Sequence, residues 1–417
     1  MFSYYLPYGK NKIEIIIPYK ADILEPKRVK TNKSKDLLIY EALDNPLGLN
    51  SLSVFLKSKN NIAISIEDDT RPINNKEILR ILFNYLREKE IKGRNIKIIV
   101  ATGLHQDKTL YDFSDISYDF SVEVIKHDPD KGLIFLEDEN LERVGINKEF
   151  IEADARIIIG DVVPHQIFGF SGPPKSIIPG LADRETINKT HKQVLFHELK
   201  AGIEDNIVLK WVVNFSKKIP NIFSINLIQD VEKNIINVIA GEITESFKKA
   251  IEKSKELYCI EVSKEYDVVI TSPGGYPEDQ DLYQTQKAFR HASYITKEGG
   301  KIIVFAPCSR GWGSEDFKRI TEELYDVDKT IEELKFNFSV GKHKLLFFLE
   351  LAKKYKLYLY SDYDFSKNIS RFVTGVTSTD LAEILNQEDK NIAILYGGNF
   401  LVPVLKKSKG GEISYIA

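Results

Sequence analysis

The chain reads ARIIIGDVVPHQIFGFSGPPK over residues 155–175, which joins a short apolar run to a loop rich in glycine and proline. The run ARIIIGD (155–161) has the length and composition of a strand buried on both faces, as parallel strands covered by helices are. The loop after it contains His165 and Lys175, and its glycines allow the backbone to approach a ligand closely. This stretch therefore predicts a buried strand whose carboxyl end carries a ligand-binding loop.

The same order of elements recurs on both sides of this stretch. Apolar runs that end in Gly or polar residues, followed by a helical pattern, are typical of strands that alternate with helices. These runs are IAISIED (62–68), NIKIIVATG (95–103), YDVVITSPGG (266–275), GGKIIVFAPC (299–308), KLYLYSD (356–362) and NIAILYGG (391–398). The alternation predicts an α/β fold of two domains, each with a mostly parallel, doubly wound sheet, and we expect the active site in the cleft between them.

The composition narrows the class of protein. The net charge is −3 and the sequence pI is about 6.2, so no broad basic face and no nucleic-acid partner are expected. The two cysteines, Cys259 and Cys308, make neither a disulfide framework nor a structural zinc site, which indicates a reducing cytoplasm. The sequence has no run of about 18 apolar residues and no signal-peptide pattern, so we expect a cytoplasmic protein without a membrane partner.

Reactive side chains follow four of the predicted strands. Ligands collect at the carboxyl ends of the strands in open α/β sheets, so groups at these positions are candidates for an active site. The candidates are Asp68, Asp69, Thr70 and Arg71 after the first strand, His105 after the second, His165 and Lys175 after the third, and Tyr283, Gln284 and Lys287 on the helix that follows the fourth. Reactive groups at the carboxyl ends of four strands are stronger evidence for an active site than any single motif.

The histidines divide into two kinds. His105 and His165 lie just past strand ends in loops with glycine, where they are either an acid–base pair or ordinary satisfied or surface histidines. His191 and His197 are six residues apart on a predicted helix, so they do not share a face as a metal-binding i,i+4 pair would. One of them could ligate a metal, but the chain offers no cage made of protein ligands alone.

The remaining candidates are suited to anions. Asp68 to Arg71 form either a helix entry or a site for a phosphate or carboxylate, for which arginine is a bidentate partner. Gln284 and Lys287, three residues apart, share a helix face and can hold a carboxylate together. The residues alone therefore favour an enzyme that acts on a small anionic molecule with a phosphorylated cofactor. We expect residues 1–265 to form its cofactor-binding and catalytic domain, and residues 266–417 to form an α/β domain that contributes substrate-binding residues. A boundary near residue 200 is the alternative.

The chain resembles the lactate racemase family, whose members use a nickel-pincer nucleotide, a pyridinium mononucleotide with two thiocarboxyl groups and Ni(II). The resemblance covers nearly the whole chain and combines several segments that are specific when taken together. They are DDTRP (68–72), ATGLH (101–105), GDVVPHQIFGFSG (160–172), Lys175, PGLADRETI (179–187), His191 and PGGYPEDQDLYQTQK (273–287).

The resemblance implies a role for each candidate. It implies a racemase or epimerase of a small 2-hydroxy acid, lactate or a close analogue, that moves a hydride reversibly to the cofactor, and cofactor-biosynthesis proteins as its partners. His105 and His165 would be the acid–base pair, Lys175 would be joined covalently to the cofactor, and His191 would be the protein ligand to nickel. Asp68, Asp69, Thr70 and Arg71 would bind the cofactor. Arg71, Tyr283, Gln284 and Lys287 would bind the substrate.

This chain departs from the family at Pro173 and Pro174, where members often have glycine or a basic residue. Prolines fix φ and remove N–H donors, so these two bear on whether Lys175 is bonded to the cofactor. Trp312, at another strand end, either lines the substrate pocket or is a packed tryptophan. Three rival functions stay open: a racemase that abstracts a proton without nickel, a relative that binds or stores the nickel nucleotide without turnover, and a nicotinamide dehydrogenase, for which a clear dinucleotide fingerprint is lacking.

Overall fold

Strands and helices alternate along most of the chain. The structure, a computed structural model, describes residues 1–406 except 30, 70, 72, 106–108, 141, 324–325, 366–368, 370, 378–379 and 386–390. The strands are β1 (Phe2–Tyr8), β2 (Asn11–Ile17), β3 (Asp22–Leu24), β4 (Asn61–Glu67), β5 (Asn95–Ala101), β6 (Ser121–Lys126), β7 (Leu133–Asp138), β8 (Glu142–Asn147), β9 (Ala155–Asp161), β10 (Pro164–His165), β11 (Gly169–Phe170), β12 (Ile222–Gln229), β13 (Ile235–Gly241), β14 (Cys259–Val262), β15 (Tyr266–Thr271), β16 (Thr296–Phe305), β17 (Lys356–Tyr360), β18 (Thr374–Val376), β19 (Ile392–Leu395) and β20 (Val402–Leu405).

The helices cover the sheets. They are α1 (Lys35–Asp44), α2 (Leu52–Leu56), α3 (Asn75–Glu88), α4 (Lys148–Glu152), α5 (Pro173–Ile177), α6 (Arg184–Lys192), α7 (Ile207–Ser216), α8 (Ile243–Tyr258), α9 (Leu282–Ser293), α10 (Glu315–Glu323), α11 (Val327–Phe336), α12 (Lys342–Lys354) and α13 (Asp380–Ile384). Within the described residues, no helix is long and apolar enough to cross a membrane.

The chain folds as two compact units. Arg28–Leu257 form the first, here called the N-terminal unit, and Met1–Lys27 together with the chain from Tyr258 onward form the second, the C-terminal unit. The predicted ranges 1–265 and 266–417 stay a prediction. The first 27 residues lie in the C-terminal unit because β3 pairs with β19 and so adds a strand to its sheet.

The N-terminal unit is built on a six-stranded sheet with the order β13-β12-β9-β4-β5-β6. Its strands are parallel except β13, which pairs antiparallel with β12. One face of the sheet packs on a core with α1, α2 and α3, and α5 covers the other face. β4 lies between β9 and β5, so the loops that follow these three strands emerge side by side at one edge of the sheet.

The C-terminal unit is built on a parallel sheet with the order β18-β17-β16-β15-β19-β3. The hairpin of β1 and β2 packs on one face, where Leu6 and Ile17 join Ile270 and Ile394 in a core. α9 and α12 pack on the other face. The predicted fold class, α/β with two mostly parallel sheets, is therefore confirmed.

Candidate active site

His105 is held by a buried carboxylate. Asp68 follows β4 and is 2% exposed, and its Oδ2 lies 2.6 Å from Nδ1 of His105, which follows β5. The half-exposed imidazole therefore donates its Nδ1 proton to the carboxylate and keeps Nε2 as an acceptor. This is the arrangement of a general base that a carboxylate orients. The structure thus gives Asp68, predicted to bind the cofactor, a direct contact with His105.

His165 has the opposite arrangement. It ends β10, the first strand of a small hairpin, and its Nδ1 accepts the backbone N–H groups of Ile167 at 3.2 Å and Phe168 at 3.3 Å. A neutral ring with an accepting Nδ1 carries its proton on Nε2. The two predicted acid–base histidines are therefore not equivalent, since His105 presents an acceptor at Nε2 and His165 presents a donor.

Lys175 lies in the short helix α5. Pro173 and Pro174 occupy the first two positions of this helix, where a backbone N–H has no partner within the helix. The prolines therefore start the helix and remove none of its hydrogen bonds. Gly172 before them has φ of 136°, and a Cβ there would lie 2.6 Å from the ring of Phe247. The turn into α5 consequently requires glycine.

Phe168 connects three of the candidate groups. Its ring centroid lies 5.3 Å from that of His165 and 5.9 Å from that of His191, both in edge-to-face geometry. Nζ of Lys175 lies 5.6 Å from the same centroid, and the ring itself is fully buried. No pattern in the sequence indicates Phe168, because an aromatic residue in a loop has no signal of its own until its neighbours are known.

His191 is prepared to bind a metal through one nitrogen. It lies in the last turn of α6, whose first turn is capped by Asp183, and its Nδ1 donates to the backbone carbonyl of Ile187 at 2.9 Å. Burial lowers the pKa of His191 to about 4, and the positive charge of Lys175 acts in the same direction. The ring is therefore neutral near pH 7, which is the form in which an imidazole nitrogen binds a metal.

A metal bound by His191 would need further donors. Within the described residues, no cluster of three or more His, Cys, Asp or Glu could hold a metal ion. One neutral imidazole beside a lysine nevertheless fits a metal-containing group that brings most of its own donors and would take one more from the protein. The residues present therefore fit the nickel nucleotide that the resemblance implies, with His191 as the ligand.

Glu67 is a further acidic group near Lys175, and no motif in the sequence marks it. Ile64 and Ile66 of β4 face the core beneath α1 to α3, so Glu67, which alternates with them, points to the opposite face. α5 covers that face, because a Cβ on Gly160 of the neighbouring strand would lie 2.9 Å from the backbone nitrogen of Pro173. Glu67 thus lies on the side of the sheet that carries Lys175.

The residues around Glu67 shift its pKa. Burial raises the pKa of Glu67 to about 7, and the negative charge of Asp161 adds to the shift, whereas the positive charges of Arg71 and Lys175 oppose it. A glutamate next to the DDTRP segment has no distinguishing spacing. The strand end alone was the signal that could have found it.

The other predicted cofactor ligands lie around Asp68. The backbone N–H of Arg71 donates to the carbonyl of Asp68 at 3.1 Å, which forms a turn after β4. Asp69 is exposed and accepts a hydrogen bond from Thr109 Oγ1. Thr70 lies outside the described residues. Arg71 thus belongs to the same turn as the partner of His105.

The predicted substrate-binding residues lie in the C-terminal unit, in the first turns of α9. Asp281 caps this helix by accepting the N–H of Gln284 at 2.7 Å. Tyr283 and Lys287 are four residues apart and share a helix face. The ring of Tyr283 makes a T-shaped contact with Phe317, with centroids 6.0 Å apart, and Nζ of Lys344 lies 5.2 Å from the Tyr283 centroid.

Trp312 is a packed residue. It is 7% exposed, and its ring contacts Phe317 and Phe365 with centroids 5.9 Å and 5.1 Å apart. Of the two interpretations of Trp312, the structure favours the one in which it packs within an aromatic cluster of the C-terminal unit.

Two family models match the chain. One, described as the lactate racemase N-terminal domain, matches residues 8–203, and the other, described as the lactate racemase C-terminal domain, matches residues 260–339. A lactate racemase of Thermoanaerobacterium thermosaccharolyticum is 32% identical over 345 residues, and one of Lactiplantibacillus plantarum is 31% identical over 345 residues. Each alignment covers 79% of this chain and 80% of the relative.

Two solved structures also match the fold of this chain. The lactate racemase apoprotein of Thermoanaerobacterium thermosaccharolyticum matches with a TM-score of 0.85 and 27% identity, covering 97% of this chain and 100% of that chain. A protein from Thermotoga maritima matches with a TM-score of 0.66 and 18% identity, covering 91% of this chain and 100% of that chain, and this second likeness concerns the fold alone.

Proposed function

The chain belongs to the lactate racemase family and is an isomerase, and from this premise we propose that it interconverts the enantiomers of a small 2-hydroxy acid with a nickel-pincer nucleotide. The observation that carries the proposal is the grouping of His165, Lys175 and His191 around the ring of Phe168. It unites an acid–base group, an amine and a metal-ligating nitrogen within one unit.

The cofactor, when bound, supplies an acceptor and donor for the hydride at C2 of the substrate. His191 would hold the metal through a ring nitrogen, and Lys175 would provide the amine for a covalent link. Asp69, Thr70 and Arg71 bind the nucleotide. Tyr283, Gln284 and Lys287 hold the substrate carboxylate, so that only the C2 end of the molecule can reorient.

The two histidines accept and donate the proton of the substrate hydroxyl group. His105 accepts the proton of one enantiomer at Nε2, and Asp68 stabilises the imidazolium that forms. A protonated His165 gives its Nε2 proton to the carbonyl oxygen on the opposite face and is left neutral. A charged His165 carries protons on both nitrogens and cannot accept the N–H groups of Ile167 and Phe168, so its ring turns away from them when it becomes charged.

The proposal includes the setting of the enzyme. It works in the cytoplasm with a small-molecule substrate, and it receives its cofactor from biosynthetic proteins. The absence of a membrane-spanning helix among the described residues is compatible with this setting.

A chiral assay tests the function. Protein produced together with cofactor synthesis is incubated with each enantiomer of a 2-hydroxy acid panel, and nickel is measured in the same sample. We expect nickel and conversion in both directions, and loss of conversion in His105→Ala and in His165→Ala. Near-normal conversion in either variant would contradict the two-histidine mechanism. Bound nickel without conversion of any acid would instead support a relative that stores the nucleotide.

A further inference from the structure

The segment that contains Lys175 crosses the sheet of the N-terminal unit. At its start, a Cβ at Gly160 of β9 would lie 2.9 Å from the backbone nitrogen of Pro173. At its end, a Cβ at Gly180 would lie 2.9 Å from Cβ of Ala101 in β5. Because β4 lies between β9 and β5, the segment passes over β4.

Glu67 is the residue of β4 at this crossing. It pairs directly with Ala101 of β5. On the other side, Ser65 pairs with Ile158 of β9, which places Glu67, two residues further along, level with Gly160. Since Glu67 points to the face of the sheet that the segment covers, its side chain lies under the segment.

The charges around Glu67 agree with this position. Burial raises the pKa of Glu67 to about 7. The positive charges of Arg71 and Lys175 lower this pKa, and the negative charges of Asp161 and Asp68 raise it. Near pH 7 Glu67 is therefore present both as a carboxylate and as an acid, and the ammonium of Lys175 lies within electrostatic range of it.

An acid in this place suits the chemistry of a lysine that bonds to a carbonyl-type carbon. The ammonium must lose a proton before its nitrogen can attack, and the oxygen displaced from the carbon must gain protons to leave as water. A neighbouring carboxyl group whose pKa is near the working pH serves both needs, because it accepts and returns a proton easily. Glu67 is such a group.

We propose that Glu67 transfers a proton between Lys175 and the departing oxygen when Lys175 becomes bonded to the cofactor. The Glu67 carboxylate takes one proton from the ammonium, and the free amine attacks the carbon of a thiocarboxyl group. A C–N bond forms, the C–O bond breaks, and the sulfur stays on the carbon. The oxygen leaves as water with the proton that Glu67 returns and a second one from the nitrogen, which keeps the third. No oxidant or reductant is needed.

This inference rests on the proposed function and assigns a residue to the formation of its covalent link. Glu67 acts through Lys175 and is therefore a positioning and proton-transfer residue, whose loss should change a pH profile. A residue with a merely structural role would leave the shape of that profile unchanged.

Pyridoxal phosphate and the cofactor-free protein test the proposal. This aldehyde condenses with a lysine amine and also loses its oxygen as water. The adduct is reduced with borohydride, and its rate of formation at Lys175 is measured by peptide mass spectrometry from about pH 5 to about pH 9. We expect a maximum near pH 7 in the wild type, because at lower pH the amine holds its proton and at higher pH Glu67 has lost the one that the oxygen needs. In Glu67→Gln the rate at pH 7 should fall at least about tenfold and should rise steadily with pH.

Two variants and an internal reference separate proton transfer from packing. Glu67→Asp retains a carboxyl group and should retain the maximum at a lower rate. Glu252→Gln changes an exposed glutamate of α8, which pairs with Lys249 at 2.6 Å, and should behave like the wild type. Exposed lysines in the same digest, such as Lys249, should react equally in all variants. An unchanged rate and pH profile at Lys175 in Glu67→Gln would overturn the proposal, as would the lack of an adduct at Lys175 in the wild type.

The mass of protein produced together with cofactor synthesis distinguishes this inference from the function on which it rests. We expect the wild type to carry the cofactor on Lys175 and Glu67→Gln to carry it in a smaller fraction of molecules. If wild-type protein contains nickel and converts a 2-hydroxy acid without any mass bound to Lys175, this inference fails while the racemase function stands. If the link forms and depends on Glu67 but no 2-hydroxy acid is converted, the proposed function fails and this inference stands.

Discussion

At the scale of single residues, the contact between Asp68 and His105 has the clearest catalytic consequence. The 2.6 Å hydrogen bond fixes the tautomer in which Nε2 is the base, and the carboxylate is almost fully buried. In Asp68→Asn we expect kcat to fall at least about 100-fold with little change in KM, because the tautomer and the charge that stabilises the imidazolium are lost. Initial rates in both directions check this. Asp115→Asn, an exposed aspartate paired with Lys76, is the control and should keep wild-type rates.

Glu67 should make stability depend on pH. Its pKa is about 7 in the folded protein and near 4.5 in an unfolded chain, so unfolding releases a proton between these values. The free energy of unfolding therefore falls as pH rises from about 4.5 to about 7 and stays lowered above that. Glu67→Gln should be more stable than the wild type at pH 8, by roughly 1–3 kcal/mol, and equal to it near pH 4. Denaturant unfolding at both pH values measures this. A variant less stable than the wild type at pH 8 would show that Glu67 is a net stabilising charge there.

The sequence identified the residues that carry a strand-end position or a family motif. His105, His165, Lys175 and His191 were found in this way, and the structure brings His165, Lys175 and His191 around one ring. It did not reveal Phe168 or Glu67, because their importance depends on which side chains surround them. The opposite tautomers of the two histidines also depend on partners that only the fold provides.

At the scale of elements, the start of α5 packs so closely on β9 that position 160 of the strand must be glycine. A Cβ added at Gly160 would lie 2.9 Å from the backbone nitrogen of Pro173, and backbone at a helix start cannot move as a flexible side chain can. Gly160→Ala should therefore displace α5 and Lys175, with a loss of about 1–3 kcal/mol in unfolding free energy and reduced racemisation. Gly375→Ala in β18 is the matched control, since a Cβ there has no atom within 4 Å. If Gly160→Ala had wild-type stability and activity, α5 would not need this contact.

The longer strands were predictable and the shortest were not. β4, β5, β9 and β15 begin within a residue of the predicted runs, because buried parallel strands are continuous apolar segments. β3, with the sequence DIL, has no such run and is a strand only because β19 offers it a partner. α5 begins with two prolines and lies in a stretch for which the sequence predicts a loop.

At the scale of the whole molecule, the chain starts in the C-terminal unit, forms the N-terminal unit, and then returns to the C-terminal unit. Residues 1–27 complete the core of the C-terminal unit, where Leu6 and Ile17 pack with Ile270 and Ile394. Deleting them should destabilise the C-terminal unit and leave the N-terminal unit folded. Hydrogen exchange measured by mass spectrometry should show faster exchange in β15, β16 and β19 and unchanged protection in β4, β5 and β9. Equal loss of protection in both units would contradict this division.

The fate of the hydrogen at C2 tests the central claim most directly. Nickel-loaded protein is incubated with one enantiomer of its 2-hydroxy acid in D₂O. The opposite enantiomer is isolated, and its deuterium content at C2 is measured by mass spectrometry. A hydride that leaves C2 and returns predicts a product that retains its original hydrogen at C2. A product with deuterium at C2 would mean that a proton is abstracted and exchanged with solvent, and it would contradict the assignment of this chain as a hydride-transfer racemase.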